Sequence, residues 1–189
     1  MKIKVEISAR HIHLSINDLE KLFGKGYKLK KLKELSQTGE FAAKESVKLI
    51  NGKKSFNKVR IVGPVRKNTQ TELSLTDSRF LGIDAPIRLS GDIKNTPGVT
   101  VIGPKGKILL KKGVIVPQRH LHISNVLAKK LKLKKGQAVK IKITGQRELI
   151  FDKVIVRTAE NFITSVHLDT DEANAAGLKS CSYGKIIIK

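Results

Sequence analysis

Along residues 2–8 apolar and polar side chains alternate, Ile3, Val5 and Ile7 against Lys4 and Glu6, which predicts a strand with one core face and one wet face. The alternation continues through Arg10-His11-Ile12-His13-Leu14-Ser15, so His11 and His13 share one face while Ile12 and Leu14 share the other. The period then changes. Ser15 has the chemistry of an N-cap with Asp18 three residues on, and Ile16, Leu19, Leu22 and Phe23 keep helical spacing up to Gly24, a plausible stop. The same succession returns as Arg119-His120-Leu121-His122-Ile123-Ser124, where Ser124 opens a helix from Asn125 to Leu131 and Lys135-Gly136 turns into a strand from Gln137 to Ile143. The repeated unit is strand, His-x-His, helix and turn.

Between the copies, Val47 to Ile50, Asn51-Gly52 and Lys58 to Val62 predict a hairpin that ends at the Gly63-Pro64 break. A polar run from Val65 leads into an expected strand, Thr71 to Leu75, carrying Glu72 opposite its apolar side. A Gly-Pro-Lys-Gly turn at 103–106 joins Val99 to Ile102 with Lys107 to Leu110, and Gly113 to Val116 leads into the second histidine pair. Near the end, Phe162 to His167 reads as a strand, and Asp169-Thr170-Asp171-Glu172 opens a helix stopping at Gly177, its acidic first turn suited to the helix dipole. Many short strands in two related halves argue for barrels or sandwiches rather than a parallel sheet.

Composition narrows the function classes. One cysteine, Cys181, excludes a disulfide framework within the chain and a thiolate zinc finger; with Ser180 and Ser182 beside it and no histidine partner, it reads as structural. No run approaches the roughly 18 apolar residues of a membrane span, and the first strand starts next to Met1, so the expectation is a cytoplasmic protein without a targeting or encapsulation extension. The net charge of +22 invites a nucleic-acid reading, but aromatic content is 4% with no Trp, and the lysines are spread along the chain. They read as solvated faces that also attract a polyanionic substrate. Only eight of the 38 cationic residues are Arg, so each Arg is informative as a planar fork for carboxylate or phosphate.

The two pairs hold four of the five histidines. A single His-x-His serves equally well as half-buried polar residues; two copies of it favour a divalent metal, because neutral imidazole binds Zn²⁺ at about 2.0 to 2.1 Å. His167 and Glu72 would be unremarkable alone, yet two ions need more than four imidazoles, and such cations accept a carboxylate.

The ordered motifs Ser8-Ala9-Arg10-His11-Ile12-His13-Leu14-Ser15, Leu35-Ser36-Gln37, Val59-Arg60-Ile61-Val62-Gly63-Pro64-Val65-Arg66, Thr69-Gln70-Thr71-Glu72, Ser90-Gly91-Asp92, Arg119-His120-Leu121-His122 and the run from His167 to Ala175 resemble the PduL family of phosphotransacylases. The resemblance implies a mainly β fold of two small β-barrels with short capping helices, one built from residues 1–9 plus 118–189 and the other from 10–117. It implies two Zn²⁺ per chain, with His11, His13, Glu72, His120, His122 and His167 as ligands. It further implies Arg66 as the catalytic, phosphate-binding residue and Ser8, Lys33, Arg60 and Asn174 near coenzyme A. The implied reaction is reversible transfer of a short acyl group, acetyl or propanoyl, between coenzyme A and phosphate, in a homodimer without nucleic-acid or membrane partners. Since phosphate itself attacks, a ternary complex without an acyl-enzyme is expected. Two other classes use the same features: a zinc hydrolase with water as nucleophile, and a basic nucleic-acid-binding barrel needing no metal.

Overall fold

The computed structural model describes residues 1–179 and 182–187, so the reading of Cys181 falls outside the described residues. In chain order the elements are β1 (Lys2–Ser8), β2 (His11–His13), α1 (Ile16–Phe23), β3 (Lys31–Glu34), β4 (Phe41–Asn51), β5 (Lys54–Gly63), β6 (Gln70–Glu72), α2 (Leu75–Leu81), β7 (Ile87–Arg88), β8 (Val99–Ile102), β9 (Lys107–Leu110), β10 (Val114–Pro117), β11 (His120–Ser124), α3 (Asn125–Lys130), β12 (Ala138–Ile143), β13 (Leu149–Ala159), β14 (Ser165–Asp169), α4 (Thr170–Ala175) and β15 (Ser182–Ile187). They form two compact units, Met1–Ala9 with Gln118–Lys189, and Arg10–Pro117.

The first unit is a closed barrel in the order β1-β14-β11-β13-β12-β15. Closure comes from β1, which pairs parallel with β14 and antiparallel with β15. Ile3 and Val5 point into a core with Leu121, Ile123, Val156 and Val166. The expected core face of β1 stops short, however. Pairing with β15 ends at Val5, so Ile7 lies beyond the two-sided part of the strand and is 38% exposed. Helix α4 starts where Asp169 accepts the Glu172 N–H while Glu172 accepts the Asp169 N–H, a reciprocal cap that satisfies two otherwise orphaned donors.

The second unit is a nine-stranded sheet in the order β7-β10-β6-β2-β5-β4-β8-β9, with β3 on β4. It curls without closing on itself, ending in the two-residue β7 on one side and β9 on the other. Its spine is the β4–β5 hairpin, longer than the apolar pattern predicts because polar residues extend both arms; it turns at Gly52, which sits at φ 57°. Helix α1 buries Leu19, Leu22 and Phe23 in a core with Ile12, Leu14, Leu49 and Ile61.

Both sheets are mixed, with parallel pairs β2–β5 and β11–β13 beside antiparallel ones. Two predicted strands are revised. The strand expected over Thr71 to Leu75 ends at Glu72, because Ser74 accepts the Asp77 N–H and caps α2 at Leu75, the same Ser-x-x-Asp signal that starts α1. The strand expected from Phe162 begins at Ser165; Phe162 precedes it, with its ring against His122 at 4.3 Å between centroids.

The barrel core makes a direct stability test. Leu121 is fully buried between the two histidines of its strand, so Leu121→Ala removes its apolar burial and leaves a cavity. Urea denaturation is expected to show a loss of about 2 to 5 kcal/mol.

Candidate metal centres

Each His-x-His strand sits between one parallel and one antiparallel neighbour, and the antiparallel neighbour supplies a third donor. In the second unit β2 lies between β5 and β6, and the register sets His11 opposite Glu72. In the first unit β11 lies between β13 and β14, and the register sets His120 opposite His167. The result is two groups able to hold a metal ion, His11–His13–Glu72 and His120–His122–His167, with donor atoms within 4.8 Å of one another in each. All six predicted metal ligands therefore fall into these two groups.

Backbone carbonyls fix the tautomer of two of the histidines. His13 Nδ1 lies 3.1 Å from the Val62 carbonyl and His120 Nδ1 lies 2.9 Å from the Gln118 carbonyl. A carbonyl only accepts, so both Nδ1 atoms carry the proton and each Nε2 carries the lone pair. His13 Nε2 is 3.2 Å from His11 Nε2 and 3.9 Å from Glu72 Oε1, and Glu72 Oε2 is 3.6 Å from His11 Nε2. His122 Nδ1 is buried with no hydrogen-bond partner, and a cation bound in its group would answer that orphaned atom.

Electrostatics point the same way. Burial, then neighbouring His11 and Arg66, lowers His13 to about 3, and burial with His120 and His167 nearby lowers His122 to about 2. Burial by itself would raise the Glu72 carboxyl, but His11, His13, the Ser90 hydroxyl and Arg66 outweigh it and hold the group at about 2. These ligands are therefore in their metal-binding, deprotonated forms at neutral pH. The donor set fits a borderline divalent cation, with nitrogen and oxygen donors in groups of three.

The structure brings Arg66 to the first centre. Its backbone N–H donates to the Leu14 carbonyl, Nη1 donates to Ser90 Oγ at 3.0 Å and Nη2 to Glu40 Oε1 at 3.1 Å. Arg60 lies beside His11 in register, but its Nη1 donates to the carbonyls of Ala43 and Lys44. Lys33 is exposed on β3. Ser8 ends β1 opposite Asp169, and Asn174 is exposed on α4, so these two belong to the first unit and Lys33 and Arg60 to the second.

Sequence reading missed several partners. Glu6 pairs with His167 in register, with its Oε2 3.3 Å from His167 Nε2. The arginines that precede each histidine pair turn out to be clamps. Arg10 donates through Nε and Nη2 to Asp77 at 2.8 and 2.6 Å and lies over Phe56; Arg119 donates to Glu172 at 2.7 Å and lies over Phe151. Asp77 and Glu172 occupy the same place in α2 and α4, three residues past the cap. The only sequence signal for this was the repeat of Arg before His-x-His.

The lowered imidazoles predict a pH dependence for metal-free protein. His13 and His122 titrate near 6.5 when unfolded and at about 3 and about 2 when folded, so below pH 6.5 the unfolded chain takes up protons that the folded one refuses. Stability contributed by these groups is complete above pH 6.5 and falls as pH drops, by up to about 1.4 kcal/mol per pH unit for each. Thermal melts of chelator-treated protein are expected to show Tm falling between pH 7 and 5, above the carboxylate range, with a shallower fall in His13→Gln. A flat Tm over that window would contradict it.

The chain matches known proteins over nearly its whole length. The family model for phosphate propanoyltransferase matches residues 4–179. A phosphate propanoyltransferase from Leptotrichia buccalis is 49% identical over 183 residues, covering 96% of this chain and 86% of the relative. One from Thermotoga maritima is 48% identical over 179 residues, covering 94% and 85%, and one from Listeria monocytogenes is 44% identical over 187 residues, covering 99% and 88%. With two groups able to hold a metal ion on a mainly β frame and similarity over nearly the full chain, the chain belongs to the phosphate propanoyltransferase family and is an acyltransferase.

Proposed function

We propose that this acyltransferase moves a short acyl group, acetyl or propanoyl, reversibly between coenzyme A and inorganic phosphate, giving acyl phosphate and free coenzyme A. One Zn²⁺ would be held by His11, His13 and Glu72 and a second by His120, His122 and His167. The observation that supports this best is Arg66 beside the His11–His13–Glu72 group: its Nη2 donates to one oxygen of the Glu40 carboxylate at 3.1 Å while Nη1 donates to Ser90 Oγ. A phosphate oxyanion has the geometry the same fork accepts.

Held by these residues, Zn²⁺ would supply Lewis acidity and positive charge. Arg66 orients phosphate and balances its charge. A phosphate oxygen forms the new bond to the acyl carbon, the carbon–sulfur bond breaks, and the electron pair leaves on the coenzyme A sulfur. His13 and His120 keep their Nδ1 protons on backbone carbonyls throughout, which fixes both rings. By the family resemblance Ser8, Lys33, Arg60 and Asn174 would be the residues near coenzyme A, and Lys33 and Arg60 carry the charge its phosphates require. The large positive charge of the chain draws both anionic substrates in. Holding phosphate and acyl-CoA together removes the need for a protein nucleophile.

Thiol release from acetyl-CoA and propanoyl-CoA, measured with and without phosphate, tests the reaction. Turnover is expected only with phosphate; phosphate-independent release would mark a hydrolase. Arg66→Lys keeps the charge and loses the fork. A charge-assisted hydrogen bond is worth about 1.5 to 3 kcal/mol, so kcat/KM for phosphate is expected to fall roughly tenfold to a hundredfold or more, while KM for acyl-CoA changes much less. Normal phosphate dependence in this variant, or a defect confined to acyl-CoA, would remove Arg66 from the mechanism.

A further inference from the structure

Gln70 lies two residues before Glu72 on the same face of β6, opposite His13 in register, and it is 2% exposed. Every polar atom of its amide is engaged. Nε2 donates to Glu72 Oε1 at 2.7 Å and to Ser90 Oγ at 3.0 Å, while Oε1 accepts the Gly91 N–H at 2.7 Å. The carboxylate can only accept and the backbone N–H can only donate, so these neighbours fix which end of the amide is which. Gly91 sits at φ 101°, a backbone conformation that glycine adopts without strain, so the anchoring N–H comes from a turn shaped to offer it. The first unit repeats the device: Ser165, two residues before His167, places its Oγ 3.0 Å from His167 Nε2.

We infer that Gln70 is the positioning residue of the Glu72 centre: by occupying Glu72 Oε1, it leaves Oε2 as the one oxygen presented to the ion and fixes its direction. Oε2 is the carboxylate oxygen 3.6 Å from His11 Nε2. This rests on the metal reading of His11, His13 and Glu72, and it says nothing of the acyl transfer itself. Partners that orient a first ligand in this way are worth roughly tenfold to a hundredfold in metal affinity.

The test is Zn²⁺ affinity, read by competition with a chromophoric chelator on the full chain, for wild type, Gln70→Leu, Glu72→Gln and the double variant. Gln70→Leu is expected to weaken one bound ion by about tenfold to a hundredfold while the other keeps its wild-type affinity. Because Gln70 acts through Glu72, the double variant should bind no more weakly than Glu72→Gln alone. Wild-type affinity in Gln70→Leu would overturn the inference, and so would losses that multiply in the double variant, which mark a packing role. If circular dichroism shows Gln70→Leu unfolded, Gln70→Asn makes the same comparison, since it keeps the amide but is one methylene too short; the same loss and non-additivity are expected. Wild-type protein that takes up no Zn²⁺ would overturn the metal reading and this inference together, an outcome distinct from a wild type that binds beside a variant that binds equally well.

Discussion

Antiparallel register is the constraint on which both centres depend. A strand bearing His-x-His presents two imidazoles on one face, and two ligands alone hold an ion weakly. The third comes from the neighbouring strand, and it arrives only because His11 faces Glu72 and His120 faces His167. A slip of one residue would turn either third ligand to the opposite face. Each sheet guards against the slip in the same way. The strand carrying the third ligand runs into a capped helix whose first turn holds an acid, and that acid binds the arginine immediately before the histidine pair. Ligand strand, neighbour strand and following helix are thus tied together at the end where the arginine enters, once in each unit.

Charge is distributed to suit this frame. The surface is rich in lysine, yet four of the arginines have specific partners: Arg10 and Arg119 acids, Arg60 backbone carbonyls, Arg66 Ser90 and Glu40. The buried ligands sit in a setting where His13 and His122 resist protonation and Glu72 resists neutralisation. Burial alone would favour a neutral Glu72; neighbouring His11, His13, the Ser90 hydroxyl and Arg66 reverse that preference. The cost of keeping such groups buried and poised is the usual mark of a functional site rather than of a core built for stability.

Much of this was legible in sequence because it is local. Period-two alternation located β1 and both histidine strands, a Ser-x-x-Asp signal located α1, and an acidic first turn located α4. The same local signal at Ser74 and Asp77 was masked by the apolar residues around it, which read as a strand. The closed six-stranded order was not legible, since β1 pairs with β14 and β15 at the far end of the chain. The partners that orient the ligands were hidden for the same reason. Glu6 is an ordinary strand residue in sequence, and Ser90 and Gly91 stood out only as part of a family motif without a role; only pairing across distant strands and turns brings them to His167, Arg66 and Gln70. The histidine repeat suggested metal from the residues themselves, whereas the division of ligands into two groups of three needed the register.

The central claim is that the two groups are two separate metal centres of one chain. Anomalous diffraction at the zinc absorption edge, on crystals of protein purified without chelator, tests it most directly. The account predicts two peaks per chain, one among His11, His13 and Glu72 and one among His120, His122 and His167, each within about 2.3 Å of its nitrogen and oxygen donors. A single peak, a peak away from these side chains, or none would contradict it.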